Sequence, residues 1–335
     1  MTRRDVMAGV AALATVPAQA AVLLPGARPQ PDRELMVAAP GGQVYVRVNG
    51  DLKNGKPPVV MLHGGPGSSH WYFLNGTALA DERAVILYDQ LDSGRSEAKD
   101  DPANWRIDRF VDELETVRVA LNIPRWHVTG ASWGGTVALE YGARQPKALA
   151  GLVLQSPLVS TAVWLDDARA LKDAMPPAVR DMLDRCDVPG AAHKADCDAA
   201  TDAFYARHVR LYPPPAAIAA YRDKMPRSFS PGIYNAMWGR AEFTATGSLK
   251  NYDGRPLLAR LDGKRTLFVA GEFAEARPAT VAGFARAVPG GAGFEIVRDA
   301  AHSVMNDNPA AYVALLRGWL AGQDQPASSF AASGA

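Results

Sequence analysis

The sequence has almost no charge bias, very little cysteine and no apolar run long enough to suggest a membrane span. Across 335 residues, 36 lysines and arginines stand against 35 aspartates and glutamates, a formal net charge of +1. No basic stripe with interleaved aromatics occurs, so nucleic-acid binding has no electrostatic support. The apolar stretch near the N-terminus is too short to cross a bilayer comfortably, and no membrane contact is expected for the mature chain. No motif calls for a metal or an organic cofactor, and no internal repeat is found. The only cysteines are Cys186 and Cys197. In a reducing compartment they would be two free thiols. In an oxidising one, a disulfide across so short a loop would contribute on the order of 3 kcal/mol. Sequence leaves both states open.

A hydrophobic fraction of 48% and a charged fraction of 21% are ordinary for a globular protein, and the length allows a full core. The first residues differ in kind. Arg3 and Arg4 precede an Ala/Val-rich stretch through Val16 and then Ala18-Gln19-Ala20. A positive n-region, a short apolar h-region and an A-x-A site describe a secretory signal over residues 1–20. The paired arginines resemble a twin-arginine export signal, so the expected fate is export, to a periplasm or beyond.

The chemistry is organised around Gly130-Ala131-Ser132-Trp133-Gly134-Gly135. Trp126 to Thr129 reads as a buried strand and Thr136 to Ala143 as a helix packed on a sheet. Strand, G-x-S-x-G, helix is a nucleophile elbow. Its turn is so tight that Gly130 and Gly134 must lack side chains, which forces Ser132 into a strained, exposed position at a helix N-terminus. There its Oγ can reach a base, and backbone N–H groups can stabilise an oxyanion. The bland alternative, a glycine-rich turn that happens to hold a serine, has the wrong context on both sides. Ser132 is the candidate nucleophile.

Upstream, Gln43 to Val48 alternates as a half-exposed strand, and Pro58 to Leu62 is a continuous apolar run suited to a central strand. That strand runs into His63-Gly64-Gly65-Pro66-Gly67, where Gly64 and Gly65 let the backbone approach a substrate carbonyl. On this reading Gly65 and Trp133 supply the two oxyanion N–H donors. Ala84 to Tyr88 is the next buried strand. Asp89 after it is assigned a loop-bracing role, because hydrolases of this order place their acid after the nucleophile. Ile107 to Leu121 is an amphipathic helix. From 159 to 237 the strand–helix alternation gives way to helices, prolines and scattered aromatics, read as an inserted, mainly helical cap. Alternation resumes at Thr266 to Gly271 and at Phe294 to Val297. A final helix starts at Asn308-Pro309 and runs through Leu320. These elements predict an α/β core over 33–158 and 238–322, with a mostly parallel central sheet flanked by helices, and a disordered tail over 323–335.

Taken together, the motifs resemble the α/β-hydrolase fold and, more narrowly, the proline iminopeptidase family, with its tricorn-interacting aminopeptidases and bacterial L-amino-acid amidases. His63 to Gly67, Asp89-Gln90 with Gly94-Arg95-Ser96, the elbow, Met237-Trp238-Gly239 with Glu242-Phe243, and Gly271-Glu272-Phe273 carry the likeness. It runs from about Val37 to Leu320. The resemblance implies that His302, in the loop after the last strand, is the base that takes the Ser132 proton and returns it to the leaving amine. It also implies that Glu242 and Glu275 hold the substrate's free α-ammonium. Trp133, Trp238 and Phe243 read as pocket walls from their aromatic character, although an aromatic is more often plain core.

One member is missing. The family places an aspartate where this chain has Ala274, between Phe273 and Glu275. Alanine cannot accept the imidazole Nδ1–H, fix the tautomer or stabilise the imidazolium. Three explanations stand: a deliberately inactivated variant, substitution by Glu272, Glu275 or Asp299, or a natural binder that has lost turnover. The otherwise intact machinery favours the first. The expected function is a serine hydrolase, impaired at the triad, that releases an N-terminal residue from a small peptide or ammonia from an L-amino-acid amide. A cap-covered esterase or lactonase, or a catalytically silent amino-acid or peptide binder, is the alternative.

Overall fold

In the computed structural model, residues 23–188 and 190–324 are described; the expected export signal and all but the first two residues of the expected tail lie outside them. Eight strands form one sheet: β1 (Arg33–Ala39), β2 (Gly42–Asn49), β3 (Val59–Leu62), β4 (Val85–Tyr88), β5 (Trp126–Ala131), β6 (Leu149–Gln155), β7 (Thr266–Gly271) and β8 (Gly293–Val297). Their order is β1-β2-β4-β3-β5-β6-β7-β8. Only β2 runs antiparallel to its neighbours, and every pairing from β4 to β8 is parallel. Parallel strands need crossovers and are covered on both faces, which is why their sequences are continuously apolar. Val60, Leu62, Val128 and Leu154 face one core cluster, and Val59, Met61, Val153 and Val269 face the other.

Helices α1 (Ile107–Ala120) and α2 (Trp133–Ala143) contribute Phe110, Leu114, Val137 and Leu139 to the first cluster. From β3 the chain turns one way to β4, then returns across to β5 on the other side. The crevice outside the carboxyl ends of β3 and β5 is therefore the topological switch point, where open α/β sheets bind ligands.

The insertion after β6 is helical as expected: α3 (Thr161–Asp173), α4 (Pro177–Cys186), α5 (Lys194–His208), α6 (Ala216–Arg222) and α7 (Pro231–Met237). Helices α4 and α5 bury their own small core of Met175, Val179, Met182, Leu183, Ala200, Ala203 and Phe204. Cys186 and Cys197, with Cα atoms 5.7 Å apart, are joined in a disulfide between the end of α4 and the start of α5. In a loop-closure picture this tie across 11 residues contributes about 3 kcal/mol. The chain returns to the core through α8 (Pro278–Ala287) and α9 (Pro309–Gln323).

Three details depart from the sequence reading. Strand β1 is mostly exposed, and no apolar pattern signals it. Strand β2 is not half-exposed: Tyr45 is buried under His70 and Arg95, and Arg47 and Asn49 are buried because residues 28–30 lie across them. Arg47 donates to the carbonyls of Arg28 and Pro29, and Asn49 donates to that of Gln30. The expected tail begins two residues too early. Helix α9 continues to Gln323, and Asp324 accepts from the buried Arg83 at 2.7 and 3.0 Å and faces His127 Nε2 at 3.1 Å. Among the described residues no helix is long and apolar enough to cross a membrane.

Candidate active site

Ser132 sits between β5 and α2 with φ 56° and ψ −121°, a left-handed conformation that non-glycine residues seldom adopt. The turn that imposes it is closed by contact. A Cβ on Gly130 would stand 2.1 Å from the Gly134 carbonyl oxygen, so no other residue fits there. Gly64 passes close to Ser132, and a Cβ on it would lie 3.1 Å from that of Ser132.

The loop after β3 and the elbow are locked together by one glutamine. Gln90 donates from Nε2 to the His63 carbonyl at 3.0 Å and accepts from Trp133 Nε1 at 2.8 Å. Its backbone N–H donates to His63 Nε2 at 3.0 Å, so that nitrogen is the unprotonated acceptor of a neutral ring. Burial holds the His63 pKa down, in keeping with that neutral ring. The loop after β3 and the head of α2 are thereby held side by side. As the first residue of α2, Trp133 has an N–H with no carbonyl a turn earlier to bond, and Gly65 lies in the facing loop. Asp89 braces the neighbouring turn, accepting from the backbone N–H groups of His70 and Arg95 at 2.7 and 2.8 Å and pairing with the His70 ring. Asp92 shapes the loop that follows, where it accepts from Lys99 N, Asp100 N and Trp105 Nε1.

Ser132, His302, Gly64, Gly65 and Glu242 all line one cavity of about 960 Å³ between the sheet edge and the cap. His302 is held by its backbone: its N–H donates to the His208 carbonyl at 3.1 Å, and its carbonyl accepts from Gln155 Nε2 at 2.8 Å. Trp164 packs edge-on to the imidazole with centroids 5.5 Å apart. Burial alone lowers the His302 pKa to about 4, so the ring is neutral and able to act as a base at neutral pH.

Glu242 has a built surround. Its Oε1 accepts from Tyr234 Oη at 2.8 Å, its N–H donates to Tyr205 Oη at 3.0 Å, and its carbonyl accepts from Trp164 Nε1 at 2.9 Å. Burial raises its carboxyl to about 7. Glu275 lies deeper, 1% exposed and outside the cavity lining, with neither carboxylate oxygen hydrogen-bonded. Burial first, and the charge of Glu242 second, hold its pKa well above the carboxylate range. Ala274 is buried beside it and presents no acceptor.

Three expected pocket walls are not walls. The Trp133 ring is buried and packs on Phe110 with centroids 5.4 Å apart. Trp238 is buried, donates to the Ala241 carbonyl at 2.9 Å and packs on Trp164, which it backs from behind. Phe243 packs on Phe204 and Tyr205 inside the cap. Their places are taken by Trp71, Tyr72, Tyr205 and Tyr234, whose aromatic character alone does not distinguish them in the sequence. The segment after α5 also escapes a reading of the sequence. The His208 carbonyl accepts from both Glu275 N and His302 N at 3.1 Å, and the Val209 carbonyl accepts from Ser303 N. Asp307 ties the same parts together, accepting from Leu211 N and Ala301 N at 3.0 and 2.9 Å. No local pattern in the sequence marks such main-chain contacts between distant segments.

Among the described residues no group of histidines, cysteines and carboxylates is placed to hold a metal ion. The nucleophile elbow at the switch point of this sheet defines an α/β hydrolase, and the family of the alpha/beta hydrolase fold matches residues 57–309. The chain belongs to the proline iminopeptidases within it. It is 35% identical over 272 residues to a proline iminopeptidase of Heyndrickxia coagulans, covering 81% of this chain and 92% of the relative. It is 32% identical to one of Lactiplantibacillus plantarum, over 85% of this chain and 99% of the relative. Among solved structures, the proline iminopeptidase of Mycobacterium smegmatis superposes with a TM-score of 0.78 at 32% identity, covering 87% of this chain and 99% of that one. VinJ does so with a TM-score of 0.80 at 31% identity, over 88% and 100% of the two chains.

Proposed function

We propose that the chain is a serine aminopeptidase that releases an N-terminal residue, proline foremost, from small peptides, or ammonia from L-amino-acid amides. Ser132 Oγ attacks the scissile carbonyl while His302 Nε2 takes its proton. The N–H groups of Gly65 and Trp133 hold the oxyanion that develops. His302 returns the proton to the leaving amine, and water then resolves the acyl-enzyme by the same path. Ala274 leaves His302 without the customary acceptor next to Nδ1, so turnover is slower than in a chain with aspartate there.

The observation that carries this reading is Glu242. A carboxylate in an aromatic surround, in the cavity that holds Ser132 and His302, is a counter-charge for an α-ammonium placed next to the scissile bond. The names of the relatives point the same way. We also place the mature protein outside the cytoplasm. The Arg3-Arg4 leader and the Cys186–Cys197 disulfide support that placement.

The test is hydrolysis of L-prolyl p-nitroanilide against its N-acetylated counterpart, with Ser132→Ala as blank. Turnover of the free-amine substrate with loss on acetylation is expected. Equal turnover of both would point to an esterase-like hydrolase that ignores the amine. Tight binding without turnover would point to a binder.

A further inference from the structure

The carboxylate that the triad lacks at residue 274 has a neighbour pointing at the same imidazole. Glu275 Oε1 lies 3.7 Å from His302 Nδ1. Three buried polar atoms meet there without any hydrogen bond: His302 Nδ1, Glu275 Oε1 and Glu275 Oε2. Buried polar groups are mostly paired, and an unpaired one costs free energy that a partner within reach would recover. A donor and an acceptor orphaned face to face describe a bond not yet closed. Both residues hang from one anchor, since the His208 carbonyl accepts from Glu275 N and from His302 N, each at 3.1 Å.

Neither of the other nearby carboxylates competes. Glu272 is committed to Arg298 Nη1 at 2.9 Å and to Asp299 N at 3.1 Å. Asp299 is exposed on the loop. Glu275 is also poorly placed to serve only as a substrate ligand, because the cavity reaches Glu242 and stops short of Glu275.

We propose that Glu275 is a positioning residue for His302, taking over the orienting role of the missing acid one residue further along the chain. The inference rests on the serine-hydrolase reading above but not on the choice of an amine substrate. Shortening the 3.7 Å contact by less than about 1 Å gives a charge-assisted bond from Nδ1–H to the carboxylate. Catalytic hydrogen bonds are often long before substrate arrives. As Ser132 Oγ bonds to the carbonyl carbon, its proton passes to His302 Nε2. The imidazolium so formed keeps Nδ1–H on Glu275 until Nε2 gives its proton to the leaving group. Glu275 must be ionised for this. The titratable groups around it are His302, Glu242, Tyr205 and Tyr234, and an ammonium bound at Glu242 would favour its charged form.

The test uses p-nitrophenyl acetate, a neutral ester with no ammonium, at about pH 9, on the alkaline side that favours the ionised carboxylates. The full chain is compared with Glu275→Gln, the double variant Ala274→Asp/Glu275→Gln, Glu272→Gln as control and Ser132→Ala as blank. Glu275→Gln is expected to lower kcat by about tenfold or more with little change in KM. The double variant should restore it, and Glu272→Gln should match the parent. Equal kcat in Glu275→Gln and parent overturns the proposal, as does a loss that Ala274→Asp does not restore. No parental turnover above the blank also overturns it. Should Glu275→Gln fail to fold, the unvaried chain with Ser132 blocked by a tetrahedral phosphonate is examined by NMR for the low-field Nδ1 proton of an imidazole held by a carboxylate, and its absence overturns the proposal. Glu275-dependent ester turnover without L-prolyl p-nitroanilide hydrolysis would remove the aminopeptidase reading and leave this one standing.

Discussion

The carbonyl of His208, at the end of cap helix α5, accepts the backbone N–H of His302 at 3.1 Å. The cap is therefore more than a cover, because its longest helix ends on the loop that carries His302. The His208 ring extends the tie through Nδ1 to the Phe273 carbonyl at 2.9 Å, and it packs on Phe204 with centroids 5.0 Å apart. Burial lowers its pKa, so the ring donates there as a neutral group.

Replacing the His208 ring removes its bond to the Phe273 carbonyl and its packing on Phe204, while the main-chain tie to His302 stays, so the loop of residues 273–275 should loosen without touching substrate. His208→Ala is expected to lower kcat by about tenfold, since small displacements of positioned groups are costly, while KM changes less. Steady-state kinetics on L-prolinamide checks this. A change in KM alone would show that the cap merely shapes the pocket.

Restoring the acid should quicken the enzyme. Loss of a triad aspartate costs up to about 10⁴-fold in kcat, which sets the ceiling for recovery in Ala274→Asp. If Glu275 already orients His302, the gain is smaller but still over about tenfold. The measurement is kcat/KM on L-prolinamide for parent and variant, with Ser132→Ala as blank.

Much of this site was legible from sequence because its parts are local. The elbow needs glycine at fixed offsets from Ser132, and continuous apolar runs marked β3 to β7. What stayed hidden depends on distant segments. Strand β2 alternates like a half-exposed strand, yet residues 28–30 cover Arg47 and Asn49. Trp238 and Phe243 looked like pocket walls because aromatics suit both cores and pockets, and packing against Trp164 and Phe204 decided between them. The separate fates of Glu242 and Glu275, one in the cavity and one behind it, follow from where α5 and the last loop meet. No spacing rule encodes that meeting.

Activity on free amines should depend on pH through Glu242. Its carboxyl, raised to about 7 by burial, must be ionised to hold an ammonium, whereas His302 is already neutral above about 4. For L-prolyl p-nitroanilide, kcat/KM is expected to rise with pH through about 7. It should fall again as the substrate amine loses its proton. A profile that Glu242→Gln leaves unchanged would show that Glu242 takes no part. The profile of kcat/KM from pH 4 to 10 decides.

The same carboxylate should weaken the fold as it ionises. A buried acid whose pKa is raised binds its proton more tightly in the folded than in the unfolded chain. Its contribution to stability is full below the ordinary carboxylate pKa and is lost as pH rises through about 7. Removing the charge while keeping the shape therefore helps only on the alkaline side. Glu242→Gln retains an oxygen to accept from Tyr234 Oη, whose bond to Glu242 Oε1 is 2.8 Å in the parent. The variant is expected to be more stable than the parent at pH 8, by on the order of 1–3 kcal/mol, and no more stable at pH 4. Its KM for L-prolinamide should rise at the same time. Thermal unfolding at the two pH values measures the difference, and equal Tm shifts at both would show that Glu242 carries no charge burden in the folded chain.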